Sequence, residues 1–598
     1  MKPVIREYLA SLRERGELDA IIPDLLSELG FTVFSRPSRG TRQFGVDVAA
    51  LGPAGDGRVF LFSIKRGDLT RSEWNGDSDQ ALRPSLDEIF DAYIPNHLPP
   101  EHSGKRIVIC PCFGGEVVEA AHEAFYGYMK TRTTERIEFS VWNGDRIAGH
   151  LEEGLLREGL LSPEMRSSLR KAIAMSDEPD ASFSHFTHLV DAIAAAAVGA
   201  VDTKRLTAAR QISISLWMLF VWAREQGSLE SAYLASEYVL LRFWDFAKGL
   251  LAVHTRVSED AGLILLELVD LHLNVWEEFI GKKVLPHAGN HHAISAAIRT
   301  ASPLDVNLKL FDIMGRIALR GLWLEWAHGQ SSDLPGSLPN RNRDPRIGVL
   351  AHKLCALIAA NPALLTPVAD EQVIDLSLGF MLLAAHGGLL GDLRGWVSEL
   401  IKRADFSYRT CGRFPCALRN YAELADHPRT DRVGYLEEAT QGSVLLPTLA
   451  FWAAAFGDGR ALEILARLKE EILGHCAAQL WLPDEASEEG LWRGQDGHGG
   501  AFFNIPLVRE GQIILDYVRR ECGAATPFAK LSAVEQGFWP LVLVACRHYR
   551  LPVPPQFFDR LVQAMDQQTP ETFTIALSSA TKPFLLRTVS LNAIILPT

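Results

Sequence analysis

The stretch GVDVAALGPAGDGRVFLFSIK, residues 45–65, decides the fold of the N-terminal part of the chain. Two apolar segments, 45–51 and 58–64, flank GPAGDG, a run of turn-forming residues. This pattern is typical of two antiparallel strands joined by a tight turn. Because strand residues alternate between faces, Ser63 and Lys65 are expected on the same face. A hydroxyl and an ammonium group at the end of an apolar strand indicate a functional site there.

The segments on either side of this hairpin alternate between helix and strand patterns. Apolar residues between positions 18 and 29 recur at helical spacing, and Gly30 is a natural helix end. The remaining predicted elements are a strand at 31–36, a helix at 80–93, a strand at 106–111, a helix after Gly114-Gly115 and a strand at 137–142. The predicted order for residues 1–160 is α-β-β-β-α-β-α-β, an α/β domain.

Beyond residue 160 the strand patterns fade and long, apolar-striped helical segments follow to the end of the chain. We predict an all-α helical array, divided into residues 161–335 and 336–598, which could also be continuous. Two breaks stand out: SDEPDASFSH (176–185) is interpreted as a linker and residues 328–345 as a long loop. No clean repeat period supports a named repeat family.

The composition limits the class of protein. The chain has 598 residues, a formal net charge of -13 and eight sparse, irregularly spaced cysteines. This cysteine usage favours reduced thiols in the cytoplasm over a disulfide framework. The charged N-terminus does not resemble a signal peptide, and no stretch is uniformly apolar enough to predict a membrane span. A cytoplasmic protein without a membrane partner is expected.

Asp47 and Lys65 form a chemically meaningful pair because their strands are neighbours in the predicted hairpin. A carboxylate can hold a divalent cation through its oxygen atoms. A lysine beside it can orient a water molecule or offset charge on a phosphate undergoing attack. The pattern favours metal-dependent hydrolysis of a phosphate ester, although an aspartate near a turn and a lysine at a strand end are usually only solvated.

The order of elements and three short motifs resemble the PD-(D/E)XK, or restriction-endonuclease-like, superfamily. The motifs are Gly30-Phe31, Gly45-Val46-Asp47 and Ser63-Ile64-Lys65. They look nearest to the branch that contains type IV restriction enzymes and Holliday-junction resolvases. The resemblance covers about the first 150 residues, a quarter of the chain.

This resemblance implies a role for each matching residue. Asp47 would be the central ligand of Mg²⁺ or Mn²⁺, and Lys65 the catalytic lysine. The family also places an acid on the first helix, for which Asp19 and Glu17 are both candidates; the distance to Gly30-Phe31 favours Asp19. Ser63 stands where the family has a second acid or a glutamine. A neutral hydroxyl is a weaker ligand, so either a nearby carboxylate (Asp68 or Glu73) substitutes or catalysis is impaired.

Basic residues are concentrated in the same region. Between positions 36 and 71 there are seven Arg or Lys residues against three acids, although the whole chain is acidic. This local excess predicts a phosphate-binding surface, while its individual arginines could equally be solvated. The candidate nucleic-acid contacts are Arg36, Arg39, Arg42, Arg66 and Arg71.

Taken together, the sequence predicts a magnesium-dependent endonuclease that acts on DNA in preference to RNA. The helical region would recognise a trigger or a protein partner, as in a bacterial antiviral defence effector, and an oligomer is compatible with this organisation. The alternative, favoured by Ser63, is a catalytically degenerate nuclease-fold module that binds nucleic acid or docks to a partner on a helical scaffold.

Overall fold

The structure is a computed structural model of the chain. It describes residues 5–6, 9, 18–36, 43–76, 81–154, 162–197, 199–200, 202–252, 255–298, 300, 302–331, 344–410, 412–429, 432–494, 501–524 and 526–566. The chain divides into two compact units. The first comprises residues 1–239, 255–271 and 596–598, and the second comprises residues 240–254 and 272–595.

The first unit begins with a mixed α/β region. Its elements are α1 Asp19–Glu28, β1 Thr32–Ser35, β2 Val48–Leu51, β3 Val59–Lys65, α2 Arg71–Asn75, α3 Leu82–Glu88, α4 Ile94–Asn96, β4 Ile107–Phe113, α5 Glu119–Arg132, β5 Ile137–Phe139 and α6 Gly144–Gly154. The predicted α/β region is therefore confirmed, with additional short helices between β3 and β4.

The five strands form one sheet in the order β1-β2-β3-β4-β5. The first three strands are antiparallel neighbours, whereas β4 runs parallel to β3 and to β5. The turn between β2 and β3 contains Gly55 and Gly57, both with positive φ. Arg58 closes this turn with Nε and Nη2 hydrogen bonds of 2.6 and 2.7 Å to the Asp56 carboxylate. The hairpin expected from the sequence is thus present.

Helices cover both faces of the sheet. Val59 and Leu61 of β3 pack in one apolar cluster with residues of α2, α3 and α5. The alternate residue Phe62 points to the other face, where its ring contacts Trp142 at a centroid distance of 5.1 Å. Helix α1 packs on β1, β2 and α6. Since alternate strand residues point to opposite faces, Ser63 and Lys65 belong to the face covered by α3.

Strand β4 continues to Phe113, two residues beyond the predicted end at Pro111. Proline lacks an amide hydrogen and is normally excluded from central strands. The N–H groups of Ile107 and Phe113 both point to the β5 side, where they bond to Arg136 and Trp142 carbonyls. The nitrogen of Pro111 has the same direction, and β5 has already ended at Phe139. Pro111 therefore leaves the β3–β4 ladder intact.

The rest of the first unit is helical. Its helices are α7 Pro163–Ala174, α8 Pro179–Ala197, α9 Asp202–Gln226, and parts of α10 Glu230–Leu251 and α11 Arg256–Trp276. Part of α9, residues 204–226, is long and apolar enough to cross a membrane, but 89% of its apolar window is buried inside the protein. The predicted linker 176–185 is wrong, because α8 begins at Pro179 and Ser176 is fully buried.

The second unit is also largely helical, and its helices beyond α11 begin at residue 293. They are α12 Ala293–Ala297, α13 Pro303–Ser331, α14 Pro345–Ala360, α15 Val373–Ala385, α16 Leu390–Arg409, α17 Tyr421–Ala425, α18 Tyr435–Ala439, α19 Leu445–Ala455, α20 Gly459–Glu471, α21 Ser487–Arg493, α22 Gly511–Ala524, α23 Pro527–Lys530, α24 Ser532–Glu535, α25 Pro540–His548 and α26 Pro555–Asp566. The predicted helical region is confirmed in this coarse sense.

The expectation of a purely α region is wrong in one place. A small sheet lies in the second unit, with strands β6 Gly442–Ser443, β7 Ala477–Leu482 and β8 Ala501–Asn504 in that order. The central strand, AAQLWL, is too short for a helix and is rich in residues that fit a half-buried pleated surface. Its neighbours in the sheet are too short or too polar to predict from periodicity.

Ion pairs connect helices within the second unit. Asp312 of α13 accepts a 2.7 Å hydrogen bond from Arg547 of α25 and forms a 2.9 Å ion pair with Arg316. Burial alone would raise the pKa of Asp312, but Arg316, Lys309 and Arg547 together hold it far below its usual value. Within the same unit Asp375 of α15 accepts a 3.0 Å hydrogen bond from Arg550.

A glycine allows α15 to approach α13 closely. A Cβ at Gly315 would overlap the buried Oδ1 of Asp375. We predict that Gly315→Ala destabilises the second unit by about 1–3 kcal/mol, because a buried carboxylate must move. Gly395→Ala is the matched control: this glycine lies within α16 and its Cβ would meet nothing within 4 Å. It should stabilise the unit by about 0.5–1 kcal/mol.

Denaturant unfolding of the full chain measures both changes. Equal midpoints for Gly315→Ala and Gly395→Ala would contradict the packing of α13 on α15.

Candidate active site

The turn that delivers Asp47 to the sheet depends on close backbone packing. Phe44 and Gly45 both have positive φ, 51° and 79°. A Cβ at Gly45 would overlap the carbonyl oxygen of Ser85 in α3. The ring of Phe44 stacks on that of His97 at a centroid distance of 4.1 Å. The chain becomes extended only after this turn, so β2 begins at Val48 rather than at Gly45 as the sequence suggested.

Two hydrogen bonds attach Asp47 to strand β3. Its N–H donates to the carbonyl of Phe62 over 2.8 Å, and its carboxylate Oδ2 accepts a 2.7 Å bond from the N–H of Ile64. These bonds bracket Ser63, and the register Val48–Phe62, extended by one residue, also puts Asp47 opposite Ser63. Directly opposed residues of an antiparallel pair share a face. Asp47, Ser63 and Lys65 therefore lie on one face of the hairpin.

Ser63 and Lys65 are more deeply buried than a surface site requires. Ser63 is 1% exposed, and among the described residues its hydroxyl oxygen has no hydrogen-bond partner. Lys65, the last residue of β3, is 5% exposed. A catalytic side chain is expected to be at least partly exposed so that it can reach a substrate; half-buried Asp47 meets this expectation, whereas Lys65 does not. The helices over this face cover the lysine, and strand alternation alone cannot predict such covering.

The negative charge of Asp47 also acts on Cys112 in strand β4. Burial raises the pKa of the Cys112 thiol, and the charge of Asp47 raises it further. Cys112 pairs with Ile64 in the β3–β4 ladder. A thiol held protonated in this way is not a nucleophile.

The other acids predicted near the site have different positions. Asp19 is half-buried at the start of α1, whereas Glu17 lies outside the described residues. Asp68 is exposed and its Oδ1 accepts a 2.8 Å bond from the N–H of Glu116. Glu73 lies in the first turn of α2. Among the described residues, no group of three or more His, Cys, Asp or Glu side chains could hold a metal ion.

The predicted phosphate-binding arginines fall into three classes. Arg66 and Arg71 are exposed just beyond β3, and within the described part of the chain neither forms an ion pair. Arg36 is only 25% exposed and is ion-paired with Asp24 and Glu267, at 3.6 and 3.1 Å. Arg39 and Arg42 lie outside the described residues.

Sequence reasoning missed how the loops after β3, β4 and β5 are joined. The N–H of Gly115 donates to the Gly67 carbonyl over 2.9 Å, and the N–H of Gly144 donates to the Gly115 carbonyl over 2.8 Å. A Cβ at Gly115 would overlap the Asp68 carboxylate. The signal was present in the sequence, because a glycine follows each of the three strands within a few residues. These contacts fix the loops at the carboxyl end of the strands, where Lys65 lies.

The chain was compared with protein-family models, curated proteins and solved structures, and none of the three comparisons gave a match.

We predict that Gly45→Ala destabilises the first unit by more than the corresponding change at Gly57. Both glycines have positive φ, which costs alanine about 1–2 kcal/mol. Only at Gly45 would the added Cβ also overlap backbone, whereas at Gly57 it would meet nothing within 4 Å. Thermal unfolding of the two variants isolates the effect of the Ser85 contact. Equal losses would show that Asp47 is not positioned by packing against α3.

Proposed function

We propose that the N-terminal α/β region is a nuclease-type domain that hydrolyses phosphodiester bonds, with DNA favoured over RNA as its substrate. One observation carries the proposal: Asp47, Ser63 and Lys65 lie on one face of the β2–β3 hairpin. The helix and strand order around the hairpin also agrees with the order that the PD-(D/E)XK resemblance implies.

Asp47 and Ser63 offer oxygen atoms of the kind that Mg²⁺ or Mn²⁺ prefers. The half-buried carboxylate of Asp47 and the buried, unpartnered hydroxyl of Ser63 are the described donors that fit such an ion. A first-helix acid, Asp19 or Glu17, would complete the set that the resemblance implies. When bound, the ion would lower the pKa of a coordinated water and so supply the nucleophile.

Each side chain has a definite task in this proposal. The Ile64 N–H holds one oxygen of Asp47, which fixes the carboxylate plane and directs the other oxygen. Lys65 presents a positive charge to a phosphate whose negative charge grows during attack. Its burial strengthens that interaction because fewer water molecules screen the charge. Arg66 and Arg71 would contact neighbouring phosphates of the backbone.

The helical region is proposed to recognise a trigger or a protein partner and to regulate the nuclease domain. This arrangement would suit a cytoplasmic effector of antiviral defence. The suggestion rests on the combination of an α/β domain with a largely helical region, which is fold-level analogy.

A non-catalytic binding module is the second candidate. It is favoured by the incomplete metal ligand set, because no group of three His, Cys, Asp or Glu side chains lies together among the described residues. Ser63 would then be the remnant of a lost ligand. In this case the domain would bind nucleic acid, or dock to a partner, without cleaving a substrate.

We predict that Asp47→Asn and Lys65→Met each reduce DNA cleavage about 100-fold or more, because each removes a charge that acts on the reacting phosphate. Methionine is chosen for Lys65 because it fills a buried site without leaving a cavity. Labelled duplex DNA is incubated with the full-length chain and Mg²⁺, with a chelator as the blank. Lys130→Met is the control, since this exposed lysine of α5 lies outside the site.

Full activity of either site variant would exclude this active site. DNA binding without cleavage by the wild type would select the binding module. Absence of both binding and cleavage would exclude both candidate functions for DNA.

Binding is predicted to depend on the exposed arginines beyond β3. Arg66→Glu combined with Arg71→Glu should weaken DNA binding for all sequences alike and lower the salt slope by about two units. The control is Arg83→Glu with Arg132→Glu, which changes the net charge equally, on arginines that already contact Asp87. Titrations at several salt concentrations are made with Ca²⁺ in place of Mg²⁺. Equal losses in both double variants would show only a general charge effect.

A further inference from the structure

A buried ion cluster joins three helices and the end of β1 within the first unit. We call it the α1 ion cluster; its members are Asp24 and Glu28 of α1, Arg36 beyond β1, Arg210 of α9 and Glu267 of α11. Arg36 lies 3.6 Å from Asp24 Oδ1 and donates a 3.1 Å hydrogen bond to Glu267. Arg210 lies 3.7 Å from Asp24 Oδ1 and donates a 2.7 Å bond to Glu28.

The charges of this cluster do not balance. Three carboxyl groups face two guanidinium groups, and Asp260 adds a further negative charge near Arg210. Asp24 is 5% exposed and Arg210 is 7% exposed, so water screens these two poorly, whereas the side chains of Arg36 and Glu267 are 25% and 23% exposed. An uncompensated buried charge is strongly unfavourable. Uptake of one proton makes the cluster of three carboxyls and two arginines neutral.

Two of these carboxyl groups share one arginine. Arg36 lies 3.6 Å from Asp24 Oδ1 and donates a 3.1 Å hydrogen bond to Glu267, so it brings the two carboxyl groups together. A proton on one of two neighbouring carboxyl groups removes the repulsion between their negative charges. Burial, followed by the negative charge of Asp24, raises the pKa of Glu267 well above its usual value, although Arg36 and Arg210 oppose this shift.

Among the described residues, the other groups that contact α1 bring no further positive charge to the cluster. The Thr207 hydroxyl of α9 donates a 3.0 Å bond to Glu28. Helix α6 also packs on α1, but its Asp145 lies near Arg6 and its Arg146 lies over the Trp142 ring. Strand β2 contains no charged residue.

We propose that Glu267 keeps a proton in the folded protein, that this proton stabilises the contact between α1 and α11, and that its loss makes the first unit pH-sensitive. Because the folded state keeps the proton more tightly than the unfolded chain, the contribution to stability is complete below the ordinary pKa of a glutamate. It declines as the pH rises from there through the raised pKa of folded Glu267. This pH sensitivity would be present whether or not the domain has nuclease activity.

The test compares thermal unfolding of the full-length wild type and Glu267→Gln between pH 5 and 9. Glutamine keeps a hydrogen-bond donor beside Asp24 but cannot titrate. The wild-type midpoint should fall relative to the variant by about 3–5 °C per pH unit once the pH exceeds the ordinary range of glutamate. Glu259→Gln, an exposed change on the same helix with the same charge difference, should instead remain parallel to the wild type.

An infrared difference spectrum at neutral pH supplies a second measurement, and Asp24→Asn a second variant if Glu267→Gln folds poorly. The wild type should show a protonated carboxylic acid band that is absent from either variant. A midpoint difference that stays constant with pH, or a spectrum without this band, would overturn the proposal.

Discussion

The attachment of Asp47 to strand β3 is the interaction on which the candidate site depends. Its amide and its carboxylate both bond to the β3 backbone, on either side of Ser63. The side chain thereby behaves as part of the ladder, and its position is set by the sheet rather than by a loop. A site built on paired strands holds its groups more rigidly than one built on loops. Any function of this face would use a carboxylate that is held rigidly by the sheet.

Burial gives the site a second property. Lys65 and Ser63 are nearly inaccessible, and the hydroxyl of Ser63 has no hydrogen-bond partner in the part of the chain that the structure describes. An unpaired buried polar atom costs free energy, so its retention asks for a reason. Binding of an ion or a phosphate would be such a reason. Descent from an active site that has lost its activity would be another. The nuclease and the binding-module hypotheses therefore interpret the same atom in opposite ways.

Much of the fold could be predicted from local sequence patterns, but the environment of the site could not. The hairpin, its glycine-rich turn and the shared face of Ser63 and Lys65 follow from strand alternation and turn chemistry. The depth of Lys65 depends on helices that come from other parts of the chain. The partner of Arg36 is Glu267, more than two hundred residues away, and no local pattern connects them. The linker assigned at 176–185 failed because proline and acids also begin helices.

The proline in β4 has a consequence for the edges of the sheet. Pro111 cannot donate a hydrogen bond toward β5, which removes one possible ladder bond beside an edge strand of only three residues. At the opposite edge, β1 has four residues and a break in register between Val33 and Ser35. Long, regular edges invite pairing with the strands of other molecules, and both edges described here are short or irregular. Both edges of this sheet are therefore poor templates for the addition of a strand from another molecule.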